Sequence, residues 1–291
     1  MNKFIKRIVF LSDEKIGGTA FSAMVILYVV FAFIAQGAFG VFKESSPLFY
    51  TGMLTLFSAI PLIGCTVFFY KNKFCKFVGI KRFNPLFLLA SVLLTAGMFL
   101  AFGFVNNLVA ETLMDHGISV DVFVPSINTI ADYLFYTFIL AVIPAIAEEL
   151  FFRGLLVGYT GDLSIVIRSL LIALLFGLFH CSVVKFGYQF LFGIGLTVLA
   201  VKAGSVIPAI IGHFLNNFAI ITLSYLKIDI DFFDLKFIII GLVVLCIFGA
   251  MMYFIKNKET EKDDGLSGDL LMHSAIGIVV AVAIIIVGVL P

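Results

Sequence analysis

A chain of 291 residues that is 62% hydrophobic and only 13% charged, with a mean hydropathy of +1.17, exceeds what one soluble core can bury, since soluble domains run near half apolar and about a quarter charged. A bilayer must solvate most of it, and no polar stretch is long enough for a separate soluble domain. The net charge of +1 leaves no basic footprint for nucleic acid.

About 20 apolar residues cross a bilayer as a helix. By that ruler the chain offers nine candidate spans, roughly 19–41, 47–70, 84–106, 129–157, 164–182, 186–202, 205–227, 236–255 and 270–290. Only Ala203 and Gly204 separate the sixth from the seventh, so the expected fold is an all-α, polytopic transmembrane bundle of eight or nine spans. These runs are too long for barrel strands, and backbone groups in lipid must be satisfied within the segment. The opening residues carry Lys3, Lys6, Arg7 and Lys15 with no A-x-A-like cleavage site after the first apolar run. They read as the flank of a retained helix rather than a removed signal peptide.

The loops sort by charge. The N-terminal arm, the 71–83 segment, the end of span six at Lys202 and the 256–269 segment hold most of the Lys and Arg. The 107–128 segment holds Glu111, Asp115 and Asp121 with no Lys or Arg, and 227–236 holds three aspartates against two lysines. Excess Lys and Arg marks the cytoplasmic side, so the N-terminus is expected inside and, with nine spans, the C-terminus outside. Of the four cysteines, Cys65, Cys181 and Cys246 lie in apolar runs and Cys75 in a basic one; none forms a CxxC pair. Neither a disulfide framework nor a zinc-cysteine site is expected.

Ionisable residues inside spans cost about 2.5–3.5 kcal/mol each on insertion scales, which makes them functional hypotheses. Span four carries Glu148, Glu149 and Arg153 in AEELFFRG. Glu149 and Arg153, four apart with the acid first, share a helix face. Glu148 points about 100° away and is left free to act. Pro144, four residues before Glu148, removes a backbone donor and can open the helix. Span five ends in LLFGLFHCS, with Phe176 and His180 on one face; span seven contains IIGHFLNNF, with His213, Asn217 and nearly Asn216 on one face. Each pattern alone also admits a blander reading: a charged helix end, a packed histidine, or polar side chains bonding between helices.

Depth brings the three together. At 1.5 Å rise per residue, His180 lies about 18 Å beyond Arg168, Glu148 about 13 Å in from Val157, and His213 about 12 Å in from Ser205. These depths are measured from the basic face, so a cavity in the cytoplasmic half is expected, entered laterally or from that face. A carboxylate can act as general base on water there, an imidazole can orient that water or protonate the leaving amine, and imidazole N–H and carboxamide donors can stabilise an oxyanion. That set suits amide hydrolysis.

Glu148-Glu149-x-x-x-Arg153, Phe176-x-x-x-His180 and His213-x-x-x-Asn217, in that order on three spans, resemble the CAAX protease and bacteriocin-processing family, also called the Abi family. The segment Phe77–Arg82 is similar to that family's short basic stretch. The resemblance implies an intramembrane endopeptidase of glutamate type. Glu148, His180, His213 and Asn217 then take the catalytic positions, with Glu149, Arg153 and Phe176 in support and no cofactor. The organisation expected is N-terminal helices over 1–128, a catalytic core over 129–227 and C-terminal helices over 228–291. The implied substrate is a membrane-anchored or apolar peptide or protein, and the implied location a multi-pass position in a bilayer, the bacterial cytoplasmic membrane. Two alternatives stay open. One glutamate and two histidines form a recognised catalytic zinc set, although no HExxH occurs and Asn217 is a poor ligand. A transporter or non-catalytic immunity or scaffold protein could keep the same bundle, although no paired, broken-helix halves are visible.

Overall fold

The computed structural model describes residues 13–69, 79–120, 127–160, 163–255 and 268–289. Cys75, Asp121 and most of the basic 71–83 and 256–269 segments lie outside the described residues. Helices account for nearly all of the rest, and the only β-pairing among the described residues is an isolated bridge between Gly79 and Ser205. The bundle is all-α and polytopic, and among the described residues eight helices are long and apolar enough to cross a membrane.

The first two spans are α1 (Asp13–Phe39) and α2 (Pro47–Phe69). The third is built from α3 (Leu86–Phe102) and α4 (Phe104–Asp115), nearly continuous through Gly103. It reaches further than the expected 84–106, so Glu111 and Asp115 stand on helix rather than in a loop. The fourth span contains four pieces: α5 (Ile130–Tyr136), a π-helical stretch (Thr137–Val142), α6 (Ile143–Glu149) and a second π-helical stretch (Leu150–Leu156). Thr129 and Asp132 close its start as a reciprocal capping box, satisfying two otherwise orphaned backbone donors.

Span five was expected over 164–182, but its helix α7 runs only Ile165–Phe179. His180 caps it, and Cys181 turns the chain at φ 47°, a left-handed conformation uncommon for a residue with a side chain. Fifteen residues rise only about 22 Å. The chain returns in α8 (Val183–Ala203), turns on left-handed Gly204 and re-enters in α9 (Ile207–Leu226). The last two spans are α10 (Leu235–Phe254) and α11 (Gly268–Val287).

Contacts group the helix ends. At the basic end the Tyr159 hydroxyl donates to Phe69 O (2.6 Å), Val206 N to Gly79 O (3.1 Å) and Ser205 Oγ to Lys81 O (3.0 Å). Buried Arg168 donates there to the carbonyls of Thr160 and Leu163, neutralising a chain end that runs out of helix partners. At the acidic end Phe104 and Phe99 pack on Phe233 and Phe232, and Cys181 lies near Leu113, Ile118 and Ile285. Thus α7, although short, runs from the basic end toward the acidic one.

Two close helix pairs buttress the bundle. On α10, Gly241 sits so near Ala101 of α3 that a Cβ would fall 2.3 Å from the Ala101 nitrogen. On α1, Gly18 meets the Leu270 and His273 backbone of α11 in the same manner, and Ser22 Oγ donates to His273 O (2.7 Å). Small residues that admit another backbone, joined by hydroxyl hydrogen bonds, are what drives association where lipid is as apolar as leucine.

Candidate active site

Glu149 is the hub of the polar core. Its Oε1 accepts from Arg153 Nη1 at 2.7 Å and from His213 Nδ1 at 2.8 Å, with the Glu149 and Arg153 side chains fully buried and His213 nearly so. The Glu149–Arg153 pairing expected from spacing is present; the second acceptor role, toward His213, was not visible in sequence. Arg153 also donates to Gly193 O (3.1 Å) and Thr197 Oγ1 (3.4 Å), and its guanidinium lies 4.3 Å from the Phe176 ring centre. Each nitrogen of this buried cation has a partner, as a charge removed from water requires. Gly193 makes that possible, since a Cβ there would press on Ala173 and Phe176.

The histidines are oriented by partners that only accept. Phe176 O holds His180 Nδ1 at 2.8 Å, as Glu149 holds His213 Nδ1. Both Nδ1 atoms therefore carry hydrogen, and in the neutral rings both Nε2 atoms present lone pairs. Those two Nε2 atoms face Glu148 Oε2 at 3.9 Å (His180) and 4.0 Å (His213), and Oε2 has no hydrogen-bond partner within the protein. Phe176 braces the group edge-on, its ring 4.9 Å from His180 and 6.0 Å from His213. A neutral ring whose Nδ1 donates outward offers an acceptor inward, where the sequence reading expects an N–H donor for an oxyanion.

Asn217 belongs to a second chain of bonds. The Tyr188 hydroxyl donates to Asn216 Oδ1, Asn216 Nδ2 to Asn217 Oδ1 (3.1 Å), and Asn217 Nδ2 to Leu140 O (3.1 Å). Leu140 lies four residues before Pro144, which has no N–H to return to it; the carboxamide supplies a donor in its place. Asn217 is thereby fixed in rotation, with its second N–H unassigned. Sequence reading missed Tyr188, whose only signal was its place four residues before Phe192 on one face of α8.

Glu148, His180, His213 and Asn217 line one cavity of about 530 Å³. Its walls are largely apolar, with Tyr28, Gln36, Ser58, Asn106, Lys185 and Gln189 adding polar groups. The lining follows α9 through Ile220 to Ser224 and α1 outward to Gln36. The cavity thus leads from Glu148 to the acidic end, whereas entry had been expected laterally or from the basic end. Counting depth from one end had hidden this.

Residues 130–219 match the family model described as Rce1-like, type II CAAX prenyl endopeptidase. That stretch is similar to the CAAX protease family. The matched stretch holds all three motifs, from Glu148 to Asn217, while α1 to α4, α10 and α11 lie outside it. No curated protein and no solved structure matches significantly. The match supports a CAAX-type intramembrane endopeptidase at the level of the family, and the apolar helices support an integral, multi-pass membrane protein.

Proposed function

We propose that residues 129–227 form the catalytic core of a glutamate-type intramembrane protease and that Glu148 activates the water. The observation that carries this reading is the convergence of two imidazole Nε2 atoms on Glu148 Oε2, at 3.9 and 4.0 Å. Those separations are too long for direct hydrogen bonds and short enough for one water to touch all three groups. Such a water donates one hydrogen to Glu148 and the other to an Nε2, leaving its lone pair for a scissile carbonyl carbon. Attack forms the C–O bond as Glu148 takes the proton, and the remaining N–H of Asn217 donates to the oxyanion. Glu148 then returns its proton to the amide nitrogen, the C–N bond breaks, and acid and amine leave.

In this mechanism no metal takes part, and Glu149 and Arg153 act through His213 by fixing its ring. The apolar walls of the cavity suit an apolar or membrane-anchored peptide, unwound locally to expose an amide. The decisive experiment presents detergent-purified protein with a library of membrane-anchored peptides, using the wild type beside Glu148→Ala. Cleavage by the wild type and none by the variant is the expected result; equal cleavage by both would reject the assignment. Cleavage of no peptide by either protein would favour the scaffold alternative.

A further inference from the structure

The cavity lining runs from Glu148 toward one end of the bundle, and the residues packed on its other side are as informative as those that line it. Between Glu148 and the basic end the second π-helical stretch contributes Phe151, Phe152, Leu155 and Leu156, all at most 2% exposed, and Phe192 and Leu196 of α8 are fully buried beside them. This apolar layer, with the matched Glu149–Arg153 pair set in it, separates the site from the basic loops. In the other direction the lining residues reach helix termini: Gln36 three residues from the end of α1, Lys185 two after the start of α8, and Ser224 two before the end of α9.

Resting on the protease reading, we infer that substrate reaches Glu148 from the side of the membrane opposite the basic loops. Since Lys and Arg excess marks the cytoplasmic side, the site opens to the non-cytoplasmic face. The partner it fits is an apolar or lipid-held segment of an exported polypeptide, whose scissile amide lies in the outer leaflet. A tail presented from the cytoplasm meets the closed layer instead.

The test reads access rather than turnover. In a background with Cys65→Ala, Cys181→Ala and Cys246→Ala, native Cys75 reports the basic side. Ser224→Cys and Gln36→Cys, on different helices, report the cavity mouth independently of one another. A membrane-impermeant maleimide is applied to intact spheroplasts and to permeabilised ones. Labelling of both mouth positions to the same extent before and after permeabilisation, with Cys75 reacting only afterwards, is the expected result. Cys75 reacting in intact spheroplasts, mouth positions reacting only after permeabilisation, or mouth positions reacting in neither preparation would each overturn it. Peptide cleavage that persists alongside any of these patterns rejects the side of entry and leaves the hydrolytic chemistry standing.

Discussion

Replacing Glu149 by glutamine removes a charge at nearly constant shape, which makes it a measure of the buried cluster. The amide oxygen of the new side chain can still accept from Arg153 Nη1 and His213 Nδ1, which lie 2.7 and 2.8 Å from Glu149 Oε1 in the wild type. The bond to His213 falls from about 1.5–3 kcal/mol to the about 0.5–1.5 of a neutral pair, while Arg153 keeps its charged donors and loses its counter-ion. Together these cost about 2–3 kcal/mol, just under the ~3–5 seen when a buried pair loses one partner outright. At about 2–4 °C per kcal/mol for a chain of this order of size, the Tm in detergent should fall by roughly 4–12 °C. Glu149→Asp keeps the charge and gives up one methylene, so its Tm should fall less. Thermal scanning fluorimetry on the purified variants reads both. Equal and negligible shifts for the two variants would mean that the cluster carries no electrostatic stabilisation, and the reasoning would fail.

Glu148→Gln should lower peptide cleavage by about 10²–10⁴-fold, the range of a lost general base, and leave Tm nearly unchanged because Glu148 Oε2 bonds to nothing in the protein; a large Tm loss would recast Glu148 as structural. Asn217→Ala should reduce kcat by about 10²–10³ as for a lost oxyanion donor, and Tyr188→Phe should reduce it less, with KM little changed in both; a pure KM effect would remove Asn217 from the chemistry. Cleavage should survive chelators; complete inhibition reversed by added zinc would restore the metal alternative. One apolar peptide should be cut faster when anchored in liposomes than when free, and the opposite order would refute a membrane substrate.

The spans were legible because a bilayer imposes a length on apolar runs, and Gly204 marked the turn between α8 and α9 correctly. The end of α7 was not, since the apolar run continues past His180 and nothing in the pattern announces a left-handed Cys181. Glu149 with Arg153 could be read because the pair is local, four residues apart. The sharing of Glu149 with His213, sixty-four residues away, depends on how α6 and α9 cross, which no periodicity encodes. Pro144 advertised a carbonyl without its donor; that Asn217 supplies one needed the fold. The π-helical stretches left no trace, because a widened turn uses the same apolar residues as a regular one. The direction of entry proposed above was hidden from the sequence for a related reason. Depth along a helix can be counted from either end, and only the packing of residues such as Phe151 and Leu156, in the second π-helical stretch, says which end is shut.

The brevity of α7 has a consequence for the lipid itself. A helix rising about 22 Å meets a hydrocarbon slab of about 30 Å, and such hydrophobic mismatch is relieved by local thinning of the bilayer at a fraction of a kcal/mol per Å. A dimple is expected on the side where the cavity lining leads, since α7 stops there at His180. Headgroups and their hydration would dip toward the catalytic residues, shortening the path along which water must travel to reach an apolar reaction chamber. Bilayer thickness then becomes a control on turnover: in reconstituted vesicles, longer acyl chains should slow hydrolysis by making the dimple costlier, while leaving the folded protein intact.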